Sequence, residues 1–293
     1  MIALPFPEFS RLLRNFTPFR ISLLLWFLLS GQARSATLQV IPGPFQSGKA
    51  FLSCVFDGLK LNCFLDTGSA MTLLVHPKQL QNYSNLGTFR YKSASGIIAT
   101  AETIRLRAAA IDDVRFSDIK VGRLPAGGGT ESTLGIDLIG RHPFSVNFHD
   151  SPSIKFNPKP PRQLLASLKV HSTGLLNIPV VINGNPARAL WDTGASVTAV
   201  DRAYIKSHPE TFKRSGTRVQ GTDGSGHSLE LQAFRAKKIT IGSRTFRDVP
   251  VVSADLSVLR ETLGNSVSVV IGFNLIRKTD WYFDARQKLW SIR

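Results

Sequence analysis

The sequence predicts an all-β chain that is built from two similar halves. An internal repeat is the first sign, because Val55–Leu74 matches Val181–Val200 at a constant offset of 126 residues. Runs of β-branched residues, such as Leu176–Ile182 and Val249–Asp255, lie between turn signals. A proline-rich segment then separates the two copies. Each half is therefore expected to form an antiparallel, barrel-like domain.

The boundary between the halves is predicted at residues 157–163, where the sequence is NPKPPRQ. Three prolines in five residues exclude the interior of a helix and of a central strand. The predicted domains are therefore residues 37–156 and 164–293. Helical periodicity is weak, and short helices are expected only near Arg202–Ser207 and after Gly140 and Gly272.

Composition favours a globular protein with a basic surface. Hydrophobic residues make up 43% of the chain, and the formal net charge is +16. The basic residues are spread along the sequence and form no recognisable nucleic-acid module, so no nucleic-acid partner is expected. A solvated basic surface is the favoured interpretation, and loose attraction to anionic lipid or polysaccharide is the alternative.

Residues 1–35 resemble an export signal. Three arginines precede the apolar run Ile21–Leu29, and small residues follow, with Ala33 and Ser35 placed as a signal peptidase prefers. A retained membrane anchor is the alternative, but the run has about half of the roughly 20 residues needed to span a bilayer. We expect an exported protein, periplasmic or secreted, with no membrane span in the mature chain.

The two cysteines, Cys54 and Cys63, flank the turn signal Asp57-Gly58. A four-residue loop from Asp57 to Lys60 would place them opposite each other on paired strands, where an exported protein could bridge them. The alternative is two small buried hydrophobic residues.

The repeat carries the same polar triplet twice, Asp66–Gly68 and Asp192–Gly194, both Asp-Thr-Gly. Each follows an apolar run, and Gly58 and Gly184 each lie eight residues before the aspartate. One such triplet is an ordinary turn sequence. Two at equivalent places in a repeat indicate paired function.

A second match lies further along each half. Leu138-Ile139-Gly140 parallels Val270-Ile271-Gly272, and these glycines follow their aspartates by 74 and 80 residues. A difference of six residues is compatible with a loop insertion.

These motifs resemble those of the retropepsin-like and pepsin-like aspartic peptidases. The matching residues are FLDTGS (64–69), LWDTGA (190–195) and the two aliphatic–aliphatic–glycine segments. The second half resembles a single retropepsin-like domain over nearly its whole length. The resemblance implies two tandem β-barrel domains about a pseudo-two-fold axis, and an aspartic endopeptidase in which Asp66 and Asp192 form the catalytic pair.

The same resemblance assigns roles within the two loops. Thr67 and Thr193 would cross-link the loops, and Gly68 and Gly194 would give their amides close access to the carboxylates. Ser69 would add a hydrogen bond to its aspartate.

Because Ala195 stands in the matching place and lacks a hydroxyl, the two aspartates are not expected to be equivalent. Gly140 and Gly272 would pack beneath the loops.

The family also covers its substrate with β-hairpin flaps. In the second half the candidate is Val219–Leu231, with Gly221, Gly224 and Gly226 at its tip, and a plain surface hairpin is the alternative. In the first half the candidate is Tyr91–Leu106, whose first residue is the nearest match to the flap tyrosine of pepsin-like enzymes.

Other catalytic classes have no supporting motif. The chain has no HExxH, GxSxG or Walker A sequence, so neither a metal nor a cofactor is expected. Three interpretations remain: a peptidase with an intramolecular Asp66/Asp192 dyad, a homodimer that forms its dyads between chains, and a catalytically silent, exported module that binds peptides or acts as a scaffold. The intact motifs favour a peptidase, and the proline linker favours a monomer.

Overall fold

Two eight-stranded sheets with the same strand order make up most of the protein, one in each half. The predicted all-β architecture with two β-barrel halves is confirmed. The computed structural model describes residues 34–43, 47–75, 77–93, 96–125, 131–162 and 165–293. Residues 34–293 belong to a single compact unit.

The strands of the first half are β1 (Arg34–Thr37), β2 (Gln39–Pro42), β3 (Gly48–Phe56), β4 (Leu59–Leu65), β5 (Leu73–Leu74), β6 (Asn85–Lys92), β7 (Ile98–Ile111), β8 (Val114–Arg123), β9 (Thr133–Leu134), β10 (Phe144–Asn147) and β11 (Ser153–Phe156). Those of the second half are β12 (Ala166–Ser167), β13 (Lys169–Val170), β14 (Leu176–Ile182), β15 (Asn185–Trp191), β16 (Ala199–Asp201), β17 (Phe212–Thr222), β18 (Ser228–Ile241), β19 (Arg244–Ala254), β20 (Val267–Ile271), β21 (Trp281–Asp284) and β22 (Leu289–Ile292).

The helices of the described residues are short: α1 (Pro77–Leu80), α2 (Ile136–Ile139), α3 (Arg202–Ser207), α4 (Ser257–Leu263), α5 (Phe273–Ile276) and a 3-10 turn (Pro209–Thr211). The helices predicted at Arg202–Ser207 and after Gly272 are confirmed. The helix predicted after Gly140 is wrong, because α2 ends at Ile139 and Gly140 caps its C-terminus.

Strand pairing repeats from one half to the other. The first sheet has the order β2-β3-β4-β9-β5-β8-β7-β6, and the second has the order β13-β14-β15-β20-β16-β19-β18-β17. An additional pairing, β3 with β7 and β14 with β18, folds each sheet back on itself. Each Asp-Thr-Gly loop thus leaves the carboxyl end of the same strand of its sheet, β4 in one half and β15 in the other.

The glycines shared by the two copies of the repeat lie in tight hairpin turns. Asp57-Gly58 joins β3 to β4, and Asn183-Gly184 joins β14 to β15. Both residues of each turn have positive φ, from 45° to 96°, as a two-residue type I′ turn requires. The sequence pair Asp-Gly or Asn-Gly therefore fixes the register of the strand that carries each aspartate.

The turn length overturns the predicted pairing of the cysteines. Because the Asp57-Gly58 loop has two residues rather than four, Cys54 lies opposite Leu61, and Cys63 lies opposite Leu52. Both side chains are free thiols and are fully buried in the core. A hydrogen bond with Cys63, together with burial, raises the pKa of the Cys54 thiol.

A six-stranded sheet joins the two halves, in the order β1-β11-β10-β21-β22-β12. Its central pair is β10 of the first half with β21 of the second. The predicted boundary at residues 157–163 falls between β11 and β12, which lie on opposite sides of the central pair of this sheet. The halves therefore share backbone hydrogen bonds and are not separate bodies.

Aromatic side chains pack where the shared sheet meets the second barrel. Phe144 of β10 lies opposite Phe283 of β21, with ring centroids 5.4 Å apart. Trp191, the residue before Asp192, lies 4.6 Å from Phe283 and 6.1 Å from Phe144. All three are fully buried. Trp191 is therefore a packing residue that ties the second loop to the interface.

Most of the predicted export signal lies outside the described residues, so it stays a prediction. Arg34 and Ser35, its last two residues, lie in β1. No helix among the described residues is long and apolar enough to cross a bilayer.

Candidate active site

The two Asp-Thr-Gly loops meet at the junction of the halves, and each is anchored to a neighbouring strand. The backbone N–H of Asp66 donates to the Leu134 carbonyl of β9 at 3.1 Å. The N–H of Asp192 donates to the Ile271 carbonyl of β20 at the same distance. Equivalent bonds in the two halves thus place the two aspartates in equivalent positions.

The two threonines cross-link the loops as predicted. Each hydroxyl accepts a hydrogen bond from the backbone N–H of the other threonine, and both distances are 3.1 Å. Each hydroxyl also donates across the interface, from Thr67 to the Trp191 carbonyl at 3.1 Å and from Thr193 to the Leu65 carbonyl at 2.7 Å. Both side chains are fully buried.

Each carboxylate accepts two backbone hydrogen bonds within its own loop. Asp66 Oδ1 accepts from the N–H groups of Gly68 and Ser69, at 3.0 and 3.1 Å. Asp192 Oδ1 accepts from those of Gly194 and Ala195, at 2.8 and 3.2 Å. Each carboxyl group also lies against the glycine of the opposite triplet, and both are partly exposed.

The close approach of the carboxylates explains the two loop glycines. A Cβ atom built on Gly68 would overlap the Asp192 carboxylate, and one on Gly194 would overlap that of Asp66. Any side chain in either place would therefore drive the loops apart. The glycines are needed for the space they leave as well as for their amides.

Burial sets the protonation of the pair. Burial raises the pKa of Asp66 well above its usual value, and the negative charge of Asp192 adds to this effect. Burial also raises the pKa of Asp192, although the N–H bonds from Gly194 and Ala195 oppose it. The pair therefore retains a shared proton above the pH at which an ordinary aspartate ionises.

The predicted role of the Ser69 hydroxyl is wrong. It donates to the Met71 carbonyl at 2.8 Å, and the Asp66 carboxylate is bonded by the Ser69 backbone N–H instead. Since Ala195 offers the same N–H to Asp192, the direct contacts of the two carboxylates within their loops match. The serine and the alanine do not distinguish the two aspartates.

The glycine beneath the first loop is Gly135, not Gly140. A Cβ on Gly272 would lie 2.7 Å from the Thr198 nitrogen, directly after the second loop, so the prediction for Gly272 agrees with the structure. A Cβ on Gly135 would lie 2.7 Å from the carbonyl carbon of Met71, in the matching place. One on Gly140 would instead meet the Ile136 carbonyl of its own helix.

Sequence reasoning missed a second layer of support under each loop. Thr72 accepts a hydrogen bond from Gly135 N–H at 3.1 Å and donates to Asp137 at 2.8 Å. In the second half, Thr198 accepts from Gly272 N–H at 3.2 Å and donates to Asn274 at 2.8 Å.

The two halves differ in this support, because one uses a carboxylate and the other an amide. Burial raises the pKa of Asp137. The sequence contains a signal for this support, because a polar residue, Asp137 or Asn274, stands two positions after Gly135 or Gly272.

Both predicted flaps are β-hairpins. In the second half, β17 and β18 pair up to the tip, where Gly221 is the next-to-last residue of β17 and Gly224 and Gly226 lie in the turn. Asp223 shapes the tip, because its Oδ1 accepts from the N–H groups of Ser225 and His227 at 2.9 and 3.1 Å. In the first half the hairpin is β6–β7.

The first hairpin contacts the second half near its tip. Lys92 forms an ion pair with Glu261 of α4 at 3.2 Å, and a Cβ on Gly96 would lie 3.5 Å from Val258. Tyr91 packs against a small buried apolar cluster that includes Leu73, the strand residue after the first loop. Burial raises the pKa of Tyr91, and the Asp223 carboxylate adds to this. The hairpin thus bridges from its own loop to the opposite half.

No group of three or more His, Cys, Asp or Glu side chains suited to a metal ion occurs among the described residues.

Residues 178–275, about a third of the chain, match the family model described as aspartyl protease. A search of curated proteins found no match. Among solved structures, conglutin gamma, a basic 7S globulin from lupine seeds, matches with a TM-score of 0.54 and 10% identity. The match covers 89% of this chain and 95% of conglutin gamma. At this identity the likeness concerns the fold alone, whereas the family match supports a likeness of residues 178–275 to the aspartyl protease family.

The raised pKa values of the pair predict a pH-dependent stability. Above about pH 4 the native state binds more protons than the unfolded chain does. The stability that the retained proton provides is therefore fully present below about pH 4, and it is lost as pH rises through the native pKa. Asp66→Asn cannot ionise. Its free energy of unfolding relative to the wild type should therefore increase with pH, by up to about 1.4 kcal/mol per pH unit.

Urea unfolding between about pH 4 and about pH 8 measures this difference. Asp118→Asn is the control, because Asp118 is exposed and Arg105 lowers its pKa. Any change with pH in its free energy of unfolding relative to the wild type should therefore have the opposite sign. The prediction is contradicted if the free energy of unfolding of Asp66→Asn, relative to the wild type, stays constant or falls as pH rises.

The close approach of Gly135 to the Met71 backbone predicts that Gly135→Ala lowers the free energy of unfolding by about 1–3 kcal/mol. The new methyl group would meet backbone that cannot move aside. Gly224→Ala is the control. It has open space and no positive φ, and it should change the free energy of unfolding by less than about 0.5 kcal/mol. Equal denaturation midpoints for the two variants would refute the assignment of Gly135.

Proposed function

We propose that this chain is an aspartic endopeptidase that hydrolyses peptide bonds with water activated by Asp66 and Asp192. The observation that carries the proposal is the cross-linked pair of loops, in which each carboxyl group lies against the glycine of the opposite triplet at the junction of the halves. Hydrolysis of an amide requires an activated water and a protonated leaving nitrogen. A carboxyl pair that shares one proton can supply both.

The proton moves within the pair during the reaction. One carboxylate takes a proton from the attacking water while the protonated partner donates to the carbonyl oxygen of the substrate. The tetrahedral intermediate then collapses as a proton is delivered to the leaving nitrogen. Because the two sites are coupled, base and acid are roles of the pair rather than of one named residue.

The surroundings of the pair support this cycle. Four backbone N–H groups fix the carboxylates in place, so little reorganisation is required as charge shifts between them. The β6–β7 and β17–β18 hairpins are the proposed flaps, and they would cover a peptide bound across the loops. Natural substrates would be peptides or proteins with an extended segment at the scissile bond.

A monomer is the proposed active form. A single chain supplies both Asp-Thr-Gly loops, and the shared six-stranded sheet holds its halves together. The first half therefore meets its partner loop within the same chain.

The test is peptide cleavage by single variants of the pair. Asp66→Asn and Asp192→Asn should each lower the rate by at least about a hundredfold, because either change removes one half of the acid–base pair. Casein and a mixed peptide library, assayed from about pH 4 to about pH 8, provide the substrates. Asp118→Asn, at an exposed aspartate outside the loops, should keep the wild-type rate.

Each outcome has a separate meaning. Full activity in either single variant would overturn the shared site. Recovered activity on mixing the two inactive variants would indicate sites formed between chains. Peptide binding without cleavage by the wild type would identify a silent binding module, which is the alternative function.

We further propose that residues 1–35 direct export to the periplasm or the medium. A cut after Ser35 would leave Ala36, which is buried in β1, at the start of the mature chain. The measurement is the intact mass of the exported protein, which should begin at Ala36. A chain that retains the apolar run Ile21–Leu29 would show an anchor instead of a cleaved signal.

A further inference from the structure

The side chain two positions after the glycine beneath each loop connects that loop to a neighbouring strand. In the second half, Asn274 Oδ1 accepts from the backbone N–H and from the hydroxyl of Thr198, each at 2.8 Å. Its amide nitrogen donates to the Pro250 carbonyl of β19 at 2.9 Å. The amide of Asn274 therefore acts as an acceptor towards the loop and as a donor towards β19.

The strand that faces this support lies in the same register in both halves. The N–H of Val252 in β19 donates to the Thr198 carbonyl at 3.0 Å, and the N–H of Gly122 in β8 donates to the Thr72 carbonyl at 2.8 Å. Thr198 and Thr72 each lie six residues after the aspartate of their loop. Position 122 of the first half therefore corresponds to position 252 of the second.

The first half consequently has a carbonyl in the place of the Pro250 carbonyl. Lys120 stands two residues before the matched position of β8, as Pro250 does in β19. A second marker agrees, because Asp118 and Asp248, two residues earlier again, both have positive φ, 50° and 51°. By this register the Lys120 carbonyl faces the support of the first loop.

The side chain in the place of Asn274 is Asp137. Its Oδ1 accepts from the Thr72 hydroxyl at 2.8 Å, which is the bond that Asn274 receives from Thr198. A carboxylate can only accept, whereas a protonated carboxyl group has one O–H that donates. An ionised Asp137 would therefore set a negative oxygen against the Lys120 carbonyl, and only the acid form can make the second bond.

The charges around Asp137 allow it to keep the proton. Burial raises the pKa of Asp137 and outweighs the hydrogen bond from Thr72 and the positive charge of Arg141, which both act the other way. The Arg141 Nε donates to the backbone carbonyl of Asp137 at 3.2 Å. On β8, Lys120 and Asp118 are exposed to solvent, where water and salt screen their charges. Residues 69–74 of the first loop contain no ionisable side chain.

Asp137 is connected to the first catalytic loop through the start of α2. The N–H of Ile136 donates to the Ser69 carbonyl at 2.9 Å, and the Leu134 carbonyl accepts from Asp66 N–H at 3.1 Å. The N–H of Ser69 in turn donates to the Asp66 carboxylate at 3.1 Å. A shift of the segment that carries Asp137 would therefore reach the Asp66 carboxylate through backbone hydrogen bonds.

We propose that Asp137 is a positioning residue that supports the first loop only while it holds a proton. In the acid form it accepts from Thr72 and donates to the Lys120 carbonyl, as Asn274 donates to that of Pro250. When the proton is lost, this second bond is lost and the segment beneath the first loop loosens. The effect on cleavage rests on the proposed peptidase, whereas the proton on Asp137 does not.

Urea unfolding from about pH 4 to about pH 8 detects the proton without any peptidase activity. The parent chain is Asp66→Asn, in which the aspartate pair has lost one of its two ionisable groups. When Asp137→Asn is added, the unfolding constant relative to the parent should fall as pH rises, by up to about tenfold per pH unit. The folded parent keeps a proton that its unfolded chain loses, so it alone is destabilised. A ratio that stays constant or rises would overturn the proposal.

Two further variants of the same parent locate the effect. Asn274→Asp is the reciprocal change, and its unfolding constant relative to the parent should rise with pH, because folding then requires a second proton. Asp118→Asn is the charge control on β8, and its ratio should stay constant or rise, since Arg105 lowers the pKa of Asp118. A fall in this control would show a general effect of charge on β8 and would contradict the assignment to Asp137.

The positioning role is tested by kcat and KM for a peptide that the wild type cleaves. Asp137→Asn should match the wild-type kcat near about pH 4 and should increasingly exceed it as pH rises, because an amide cannot lose its donor. Asp137→Leu has a similar shape and makes neither bond, so it should lower kcat at least about tenfold and change KM much less. Identical kcat profiles for the wild type and Asp137→Asn, or an unchanged kcat in Asp137→Leu, would overturn this role.

The two experiments separate this proposal from the proposed function. If the wild type cleaves no peptide, the proposed peptidase fails and the positioning role fails with it. The unfolding ratios still decide in that case whether Asp137 holds a proton in the folded chain.

Discussion

The reciprocal bonds between Thr67 and Thr193 are the contact on which the site depends. Each buried hydroxyl accepts from the opposite backbone N–H and donates to the carbonyl of the residue before the opposite aspartate. A buried hydroxyl that both donates and accepts a hydrogen bond recovers the bonds it lost to water. Its burial therefore does not favour opening of the interface. The distance between the loops is thereby set by four backbone groups rather than by flexible side chains.

This contact works against a repulsive one. Two carboxyl groups held together and partly buried favour separation unless they share a proton. The glycines of the triplets allow the approach, but they provide no force to hold it. The threonine bonds are reinforced by the shared sheet and by the buried rings of Phe144, Trp191 and Phe283, which join the halves directly behind the second loop. Packing and backbone pairing thus maintain a charge arrangement that is unfavourable by itself.

The sequence was sufficient for the features that depend on local chemistry. Asp-Gly and Asn-Gly turns set the register of β4 and β15, and the constant offset of the repeat then located both aspartates. The sequence was not sufficient where two patterns overlap. In LGIDLIG, both Gly135 and Gly140 follow aliphatic residues, and only the pairing of Leu134 with the first loop shows which glycine lies beneath it.

The predicted position of Cys54 opposite Cys63 was wrong for a related reason. Asp57-Gly58 is compatible with loops of two or four residues, and the positive φ at both positions decides for the shorter loop. The role of Ser69 could not be read from the triplet, because its hydroxyl has a backbone carbonyl within reach and bonds to it instead of the carboxylate. These are choices among nearby partners, which only three-dimensional contact resolves.

The difference between the two halves lies beneath the loops rather than in them. Asp137 and Asn274 occupy matching places and accept matching bonds from Thr72 and Thr198. Asn274 remains neutral at every pH, and its amide also donates to the Pro250 carbonyl. Asp137 can ionise, and burial raises the pKa at which it does so. The first loop therefore rests on a support whose charge changes with pH, whereas the second does not. Two identical domains related by an exact two-fold axis could not hold this difference, so an unequal division of work between Asp66 and Asp192 would originate in the layer that supports them.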